Sequence, residues 1–287
     1  MVDIIHGATG AQGSPVLSAL TAAGRTAIAA VRHPEAVPDG IAARQVDLAS
    51  ADSLASAYEG ADGVFVHLPM GAPETAAAQA RAVVEAVTRA RPGRVVISTS
   101  GQIVDRPDSP LQATAGSPIM TLIDGVTGSG IPTAVVAPRL YLENLLLPVV
   151  LAPAHQEGVL RYPLPASFPV SWSSHLDVAD VVARLLMDTS VSGTVAVGHR
   201  PGLTGVDLAA AFSNHLGREV HFEAITPEAF GGLITPLFGP AAAPVVELYR
   251  ALNAQDGCII AEDSSAQELL GLRPRPIEQW LKDLAVS

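Results

Sequence analysis

The sequence predicts an α/β fold, a doubly wound parallel sheet with a smaller, mostly helical C-terminal region. Three observations predict it. Apolar runs of β type alternate with alanine-rich helical stretches through the first half of the 287 residues. Runs such as Val95-Val96-Ile97 and Ala134-Val135-Val136-Ala137 are apolar without interruption, as strands covered on both faces require. A glycine-rich turn follows the first run and opens the first helical stretch.

The elements follow in order. Residues 2–6 read as a strand. Residues 13–23 carry Val16, Leu17 and Leu20 on one helical face. Residues 26–31 form a second strand and 44–46 a short third. Ser50 suits the N-cap of a helix running through Tyr58, because its hydroxyl can accept from a first-turn N–H. Residues 63–68 give a fourth strand, 74–90 a long helix and 94–97 a fifth strand. A helix over 121–127 stops near Gly128-Ser129-Gly130, and 133–137 form a sixth strand. After residue 150 the pattern changes. Proline-rich stretches occupy 162–169 and 236–244, with a helix at 178–187 and a strand at 194–197 between them. That pair is expected to return to the sheet. A nucleotide-binding domain is therefore expected over 1–153 with 175–200, and a substrate-binding region over 154–174 and 201–287. The latter holds short helices and one strand at 219–223.

Composition narrows the function. A net charge of -11 gives no general attraction to phosphate backbones or anionic lipid. Aromatic residues at 4% leave few platforms for stacking exposed bases. Neither nucleic acid nor membrane is expected as a partner. The apolar stretch 140–154 holds Glu143, Asn144 and two prolines and is too short to span a bilayer. Cys258 is the single cysteine and reads as a small buried hydrophobe, so no intrachain disulfide forms. The eight histidines show no metal-ligand spacing, and no metal is expected. With no leader pattern at the start, the default compartment is the cytoplasm.

The most informative stretch is His6-Gly7-Ala8-Thr9-Gly10-Ala11-Gln12-Gly13. Gly7 permits a tight turn, Gly10 lets backbone approach a pyrophosphate, and Gly13 lets helix pack closely on strand. Thr9, Ala11 and Gln12 complete the loop, and the helix start offers N–H groups and a positive dipole end to an anion. The second strand ends Val31-Arg32-His33. NAD-binding chains place a carboxylate there for the ribose hydroxyls, about 20 residues after the loop. A guanidinium instead suits a 2′-phosphate, so the predicted cofactor is NADP(H), with Arg32 and His33 at its adenosine end.

At these residues the sequence resembles the NmrA-like branch of the atypical short-chain dehydrogenase/reductases, whose members carry a G-A-T-G-x-x-G loop and a second strand ending in V-R. The resemblance continues in order through Val46-Asp47-Leu48, residues 61–66, 95–100 and 129–139, Glu143-Asn144 and residues 176–179. It implies a Rossmann fold, with Asp47 and Leu48 beside the adenine. His67, Leu68 and Pro69 at the end of the fourth strand, Ser98 and Thr99 after the fifth, and Pro138 after the sixth complete the expected cofactor set.

One departure matters more than the matches. Short-chain dehydrogenases use a Tyr-x-x-x-Lys pair to move a proton to the substrate oxygen. Lys282 is the sole lysine, and no tyrosine stands four residues before it. The expected chemistry is therefore NADPH-dependent reduction of an electron-poor small molecule, a quinone or an activated alkene or carbonyl, in which protein groups mainly orient and polarise. Ser100 and Tyr141 are the candidate catalytic donors, with His67 in the same crevice. Two alternatives stay open: a non-catalytic NADP(H) sensor of NmrA type, and a non-redox biosynthetic enzyme. His175 and Asp177 are read as leading into a helix, where Asp177 caps or orients. A homodimer stands as an alternative to the monomer.

Overall fold

A computed structural model describes residues 1–285. The chain divides into two compact units, Met1–Pro138 with His175–Val197 and Asp263–Leu272, and Arg139–Ser174 with Gly198–Glu262 and the residues from Arg273.

Along the chain the elements are β1 (Val2–His6), α1 (Gly13–Ala22), β2 (Thr26–Val31), β3 (Ala43–Gln45), α2 (Ala51–Tyr58), β4 (Gly63–His67), α3 (Pro73–Ala90), β5 (Val95–Ser98), α4 (Pro118–Gly128) and β6 (Thr133–Pro138). There follow α5 (Pro148–Gln156), β7 (Val159–Tyr162), α6 (His175–Met187), β8 (Gly193–Val197), α7 (Gly205–Leu216), β9 (His221–Ala224), α8 (Pro227–Phe238), α9 (Ala242–Asn253), α10 (Ala266–Leu270) and α11 (Ile277–Asp283).

The first unit is a Rossmann-type α/β fold. Its seven strands run in the order β3-β2-β1-β4-β5-β6-β8 and all pair in parallel. Successive strands step from β1 towards β3, then leave β1 in the other direction through β4. The carboxyl ends of β1 and β4 thus flank the point where strand order reverses, the usual ligand crevice of an open α/β sheet. Helix α1 packs against α6, while α2, α3 and α4 pack in sequence. A continuous core runs through the second group, with Ile4, Tyr58, Val64, Val83, Val95, Ile97 and Leu122 all inaccessible to solvent. Ser50 caps α2 as expected, its hydroxyl accepting from Ser53 N at 3.3 Å. At the opposite end of the sheet Asp3 is fully buried on β1. It accepts from Arg25 Nε at 2.7 Å and Nη2 at 2.6 Å, which raises the pKa of the guanidinium and pins β1 to the start of β2.

The second unit gathers most of the chain's scarce aromatic residues. Tyr162 on β7 packs against Trp172, Phe230 and Tyr249, with ring centroids 5.5, 5.7 and 5.5 Å away, and its hydroxyl bonds that of Tyr249. Trp172 is a core residue, as are Trp280 and Cys258. Strand β7 pairs in parallel with β9. Helices α8 and α9 pack against each other, and no charged residue stands between Glu228 and Glu247. Leu233, Leu237 and Phe238 are exposed there. The segment Pro227–Asn253 is long and apolar enough to cross a membrane by composition, and it is broken into two helices at Gly239, whose φ is 55°.

Three boundaries differ from the sequence reading. The units divide at Pro138 rather than at residue 153, because β6 is the last strand before α6 to pair with the sheet. Residues Asp263–Leu272, expected in the substrate region, belong to the first unit: Ala196 on β8 bridges Ser265, and α10 packs on β8 and α6. Helix α6 begins at His175 rather than at residue 178, which places Asp177 in its first turn, where its charge favours the positive end of the dipole.

Candidate cofactor site

The first unit places the glycine loop at the carboxyl end of β1. Gly7 has φ of 62°, a left-handed conformation that favours glycine, and Gly10 N–H bonds Gly7 O at 2.7 Å to close the turn. The three glycines differ in what a side chain would meet. A Cβ at Gly13 would overlap backbone atoms of Gly7 and His6, so Gly13 is required for the helix to reach the strand. A Cβ at Gly7 would lie 2.5 Å from Nε2 of His67. A Cβ at Gly10 would meet only Gly7 O at 3.3 Å, so the fold itself tolerates one there. Thr9, Gly10 and Ala11 are exposed. Among the described residues no side chain caps α1, and no acidic residue lies in its first turn. The helix start therefore remains open to an anion, which fits a dinucleotide pyrophosphate.

The second strand delivers Arg32 to the surface beside that loop, since β1 and β2 pair with His6 opposite Ala30. Among the described residues Arg32 makes no ion pair, whereas neighbouring His33 meets Glu35 at 3.1 Å. Asp47 turns back on its own loop, its Oδ1 accepting from Ala49 N at 2.9 Å, and Leu48 packs partly buried against the core. Leu68 is buried at the end of β4, Pro69 is exposed beside it, and Pro138 closes β6.

The end of β5 is joined to the glycine loop by a bond network that the sequence did not reveal. Ser98 Oγ donates to Gln12 Oε1 at 2.8 Å, Gln12 Nε2 donates to Ser100 Oγ at 3.0 Å, and Ser100 N–H donates to Ser98 Oγ at 3.2 Å. Ser98 and Thr99 are fully buried and Ser100 is half-buried. Of Ser98, Thr99 and Ser100, it is Ser100 that is least buried. Ser98 Oγ braces the turn through these bonds, and the Thr99 N–H donates to Val136 O at 3.0 Å. Tyr141 lies in the second unit, half-buried, its backbone bridging Ser173.

Three imidazoles line the same end of the sheet. His6 is buried beneath the loop, with Nε2 2.8 Å from the Tyr58 hydroxyl. Burial, then the neighbouring His67, lowers the His6 pKa to about 3. Burial also lowers His67, and burial with His67 nearby takes His175 to about 4. Tyr58 was not singled out by sequence. The only signal for its partnership is a buried polar pair brought together across 52 residues.

A family model, the NmrA-like family, matches residues 3–281. The chain belongs to the NmrA-like family. Over 230 residues it is 30% identical to the NAD(P)H azoreductase of Xenophilus azovorans, covering 78% of this chain and 77% of that one. The triphenylmethane reductase of a Citrobacter species, solved with NADP(H), superposes with a TM-score of 0.80 at 20% identity, over 98% of this chain and 99% of that one. An NADPH-dependent quinone oxidoreductase of Escherichia coli, solved with NADPH, gives 0.77 at 19% identity, over 99% and 100%.

For this NmrA-like protein the imidazoles set a pH dependence of stability. Their folded pKa values lie below the ordinary 6.5, so the unfolded chain binds more protons between about 4 and 6.5. The stabilisation is complete above pH 6.5 and is lost as pH falls through that window, by at most about 1.4 kcal/mol per pH unit for each imidazole. Urea midpoints taken from pH 7 to pH 5 should fall, and His6→Gln should flatten the slope. An unchanged slope in that variant would show that His6 does not carry the effect.

Proposed function

We propose that this chain binds NADP(H) at the glycine loop and reduces an electron-poor small molecule of quinone or azo type. The observation that carries the proposal is the pairing of an uncapped, exposed Gly10 loop with an exposed Arg32 at the end of the adjacent strand that makes no ion pair among the described residues. Loop N–H groups and the α1 dipole would hold the pyrophosphate, and Arg32 would hold the 2′-phosphate. The kinship with an NAD(P)H azoreductase supports the same reading.

When bound, the cofactor supplies a hydride. The residues of this chain do the rest. The loop fixes the dinucleotide against the carboxyl ends of β1 and β4, which limits the approach of the acceptor to one face of the crevice. Ser100 offers a neutral hydroxyl to an acceptor oxygen or nitrogen as negative charge develops there, and solvent supplies the final proton. A quinone that has accepted hydride is a resonance-stabilised anion and needs no strong protein acid, whereas an azo nitrogen takes up its proton as the hydride adds.

Calorimetric titration with NADPH and NADH, followed by NADPH absorbance with a panel of quinones, azo dyes and enones, tests the proposal. Tight NADPH binding with acceptor-dependent oxidation is the expected result. Lack of the Tyr-x-x-x-Lys pair favours one rival, a non-catalytic NADP(H) sensor. Binding without turnover on any acceptor would select that rival.

A further inference from the structure

We propose that Gln12 is a positioning residue that turns the Ser100 hydroxyl proton into the crevice, an inference that rests on the reductase reading above. The argument is one of donors and acceptors. The Ser100 N–H can only donate, and it donates to Ser98 Oγ. Ser98 is fully buried, so its own hydroxyl proton needs an acceptor within the protein, and the Gln12 amide oxygen is the atom it reaches. That fixes which way the Gln12 amide faces, because the reversed amide would leave the buried Ser98 proton unmatched. The Gln12 NH2 group is then directed at Ser100 Oγ and occupies its inner lone pair. Ser100 Oγ has no inward acceptor left, and among the described residues its hydroxyl donates to none.

The backbone serves the same end. Ser100 has φ of 54°, a left-handed conformation rare for a residue with a side chain, and Gly101 follows at 89°. The Ser100 amide bond to Ser98 and the Gln12 bridge hold that turn. The residue that binds Ser100 belongs to the glycine loop itself, so the donor and the proposed phosphate cradle are set by one side chain.

Gln12→Glu separates direction from scaffolding. A carboxylate keeps the acceptor for Ser98 but cannot donate, so the Ser100 proton would turn inward to it. At saturating NADPH, kcat should fall about tenfold in Gln12→Glu, close to the loss in Ser100→Ala, and the double variant should lose no more than Ser100→Ala alone. Hydrogen exchange in the cofactor-free protein should show the Ser100 amide still protected in Gln12→Glu and unprotected in Gln12→Leu. Retained kcat in Gln12→Glu with the amide protected would overturn the inference, and so would multiplicative losses in the double variant. A wild-type protein that binds NADPH but oxidises it with none of the acceptors would instead overturn the reductase reading, and this inference with it.

Discussion

Gly13→Ala should unfold the start of α1 or cost the whole protein several kcal/mol, while Gly10→Ala should leave stability within about 1 kcal/mol of wild type. The two glycines sit in one motif and a sequence comparison would treat them alike. The structure separates them. The added methyl at Gly13 would collide with the backbone of Gly7 and His6, atoms that cannot move without opening the turn. Relief would require withdrawing α1 from β1, and with it Val16, Leu17 and Leu20, all buried against the sheet. At Gly10 the methyl meets one carbonyl oxygen at 3.3 Å and otherwise points to open space. Thermal melts should therefore show a depressed midpoint only for Gly13→Ala. Gly10→Val should keep a near-native melt and lose dinucleotide binding, since its side chain fills the proposed pyrophosphate position. A Gly10→Val protein that still binds NADPH would mean the loop has been misassigned.

Arg32→Ala should raise the Kd for NADPH between about tenfold and about a hundredfold and change that for NADH by less than about threefold. The expected loss follows from removing charge-assisted bonds to a dianionic 2′-phosphate, each worth about 1.5–3 kcal/mol. Exposure tempers the value, and salt should shrink the difference between the two cofactors. His33 beside it is exposed and lies 3.1 Å from Glu35. Equal weakening for both dinucleotides would remove the 2′-phosphate from Arg32 and with it the preference for NADP(H).

Much of this was legible in the sequence because it is local. Uninterrupted apolar runs located β5 and β6, the Ser50 hydroxyl marked the start of α2, and the spacing of Gly7, Gly10 and Gly13 located the loop. What was not legible depends on partners far along the chain. Strand β7 is four residues long and acquires its identity only by pairing with β9, some sixty residues later. The return of Asp263–Leu272 rests on a single bridge to Ala196 and on packing. At the site, the serines after β5 looked equivalent as a string. Burial and the reach of Gln12 separate them, and neither property has a sequence period. Helix α8 shows the converse: its apolar composition is plain in the sequence, but only the structure reveals that Leu233, Leu237 and Phe238 are exposed.

The chain passes between its two units five times, after residues 138, 174, 197, 262 and 272. Synthesis is vectorial, and this order constrains how the sheet is completed on the ribosome. When β6 has emerged, its outer edge has no neighbour until β8 follows, from Gly193 onward, and the α10 cover at Ala266–Leu270 comes later still. During that interval the edge of a strand that is buried throughout in the finished fold stands open to pairing with another nascent chain. Truncation after Pro138 would make the interval permanent, so a minimal nucleotide-binding fragment should aggregate, and a soluble one would need the later segments spliced back onto β6.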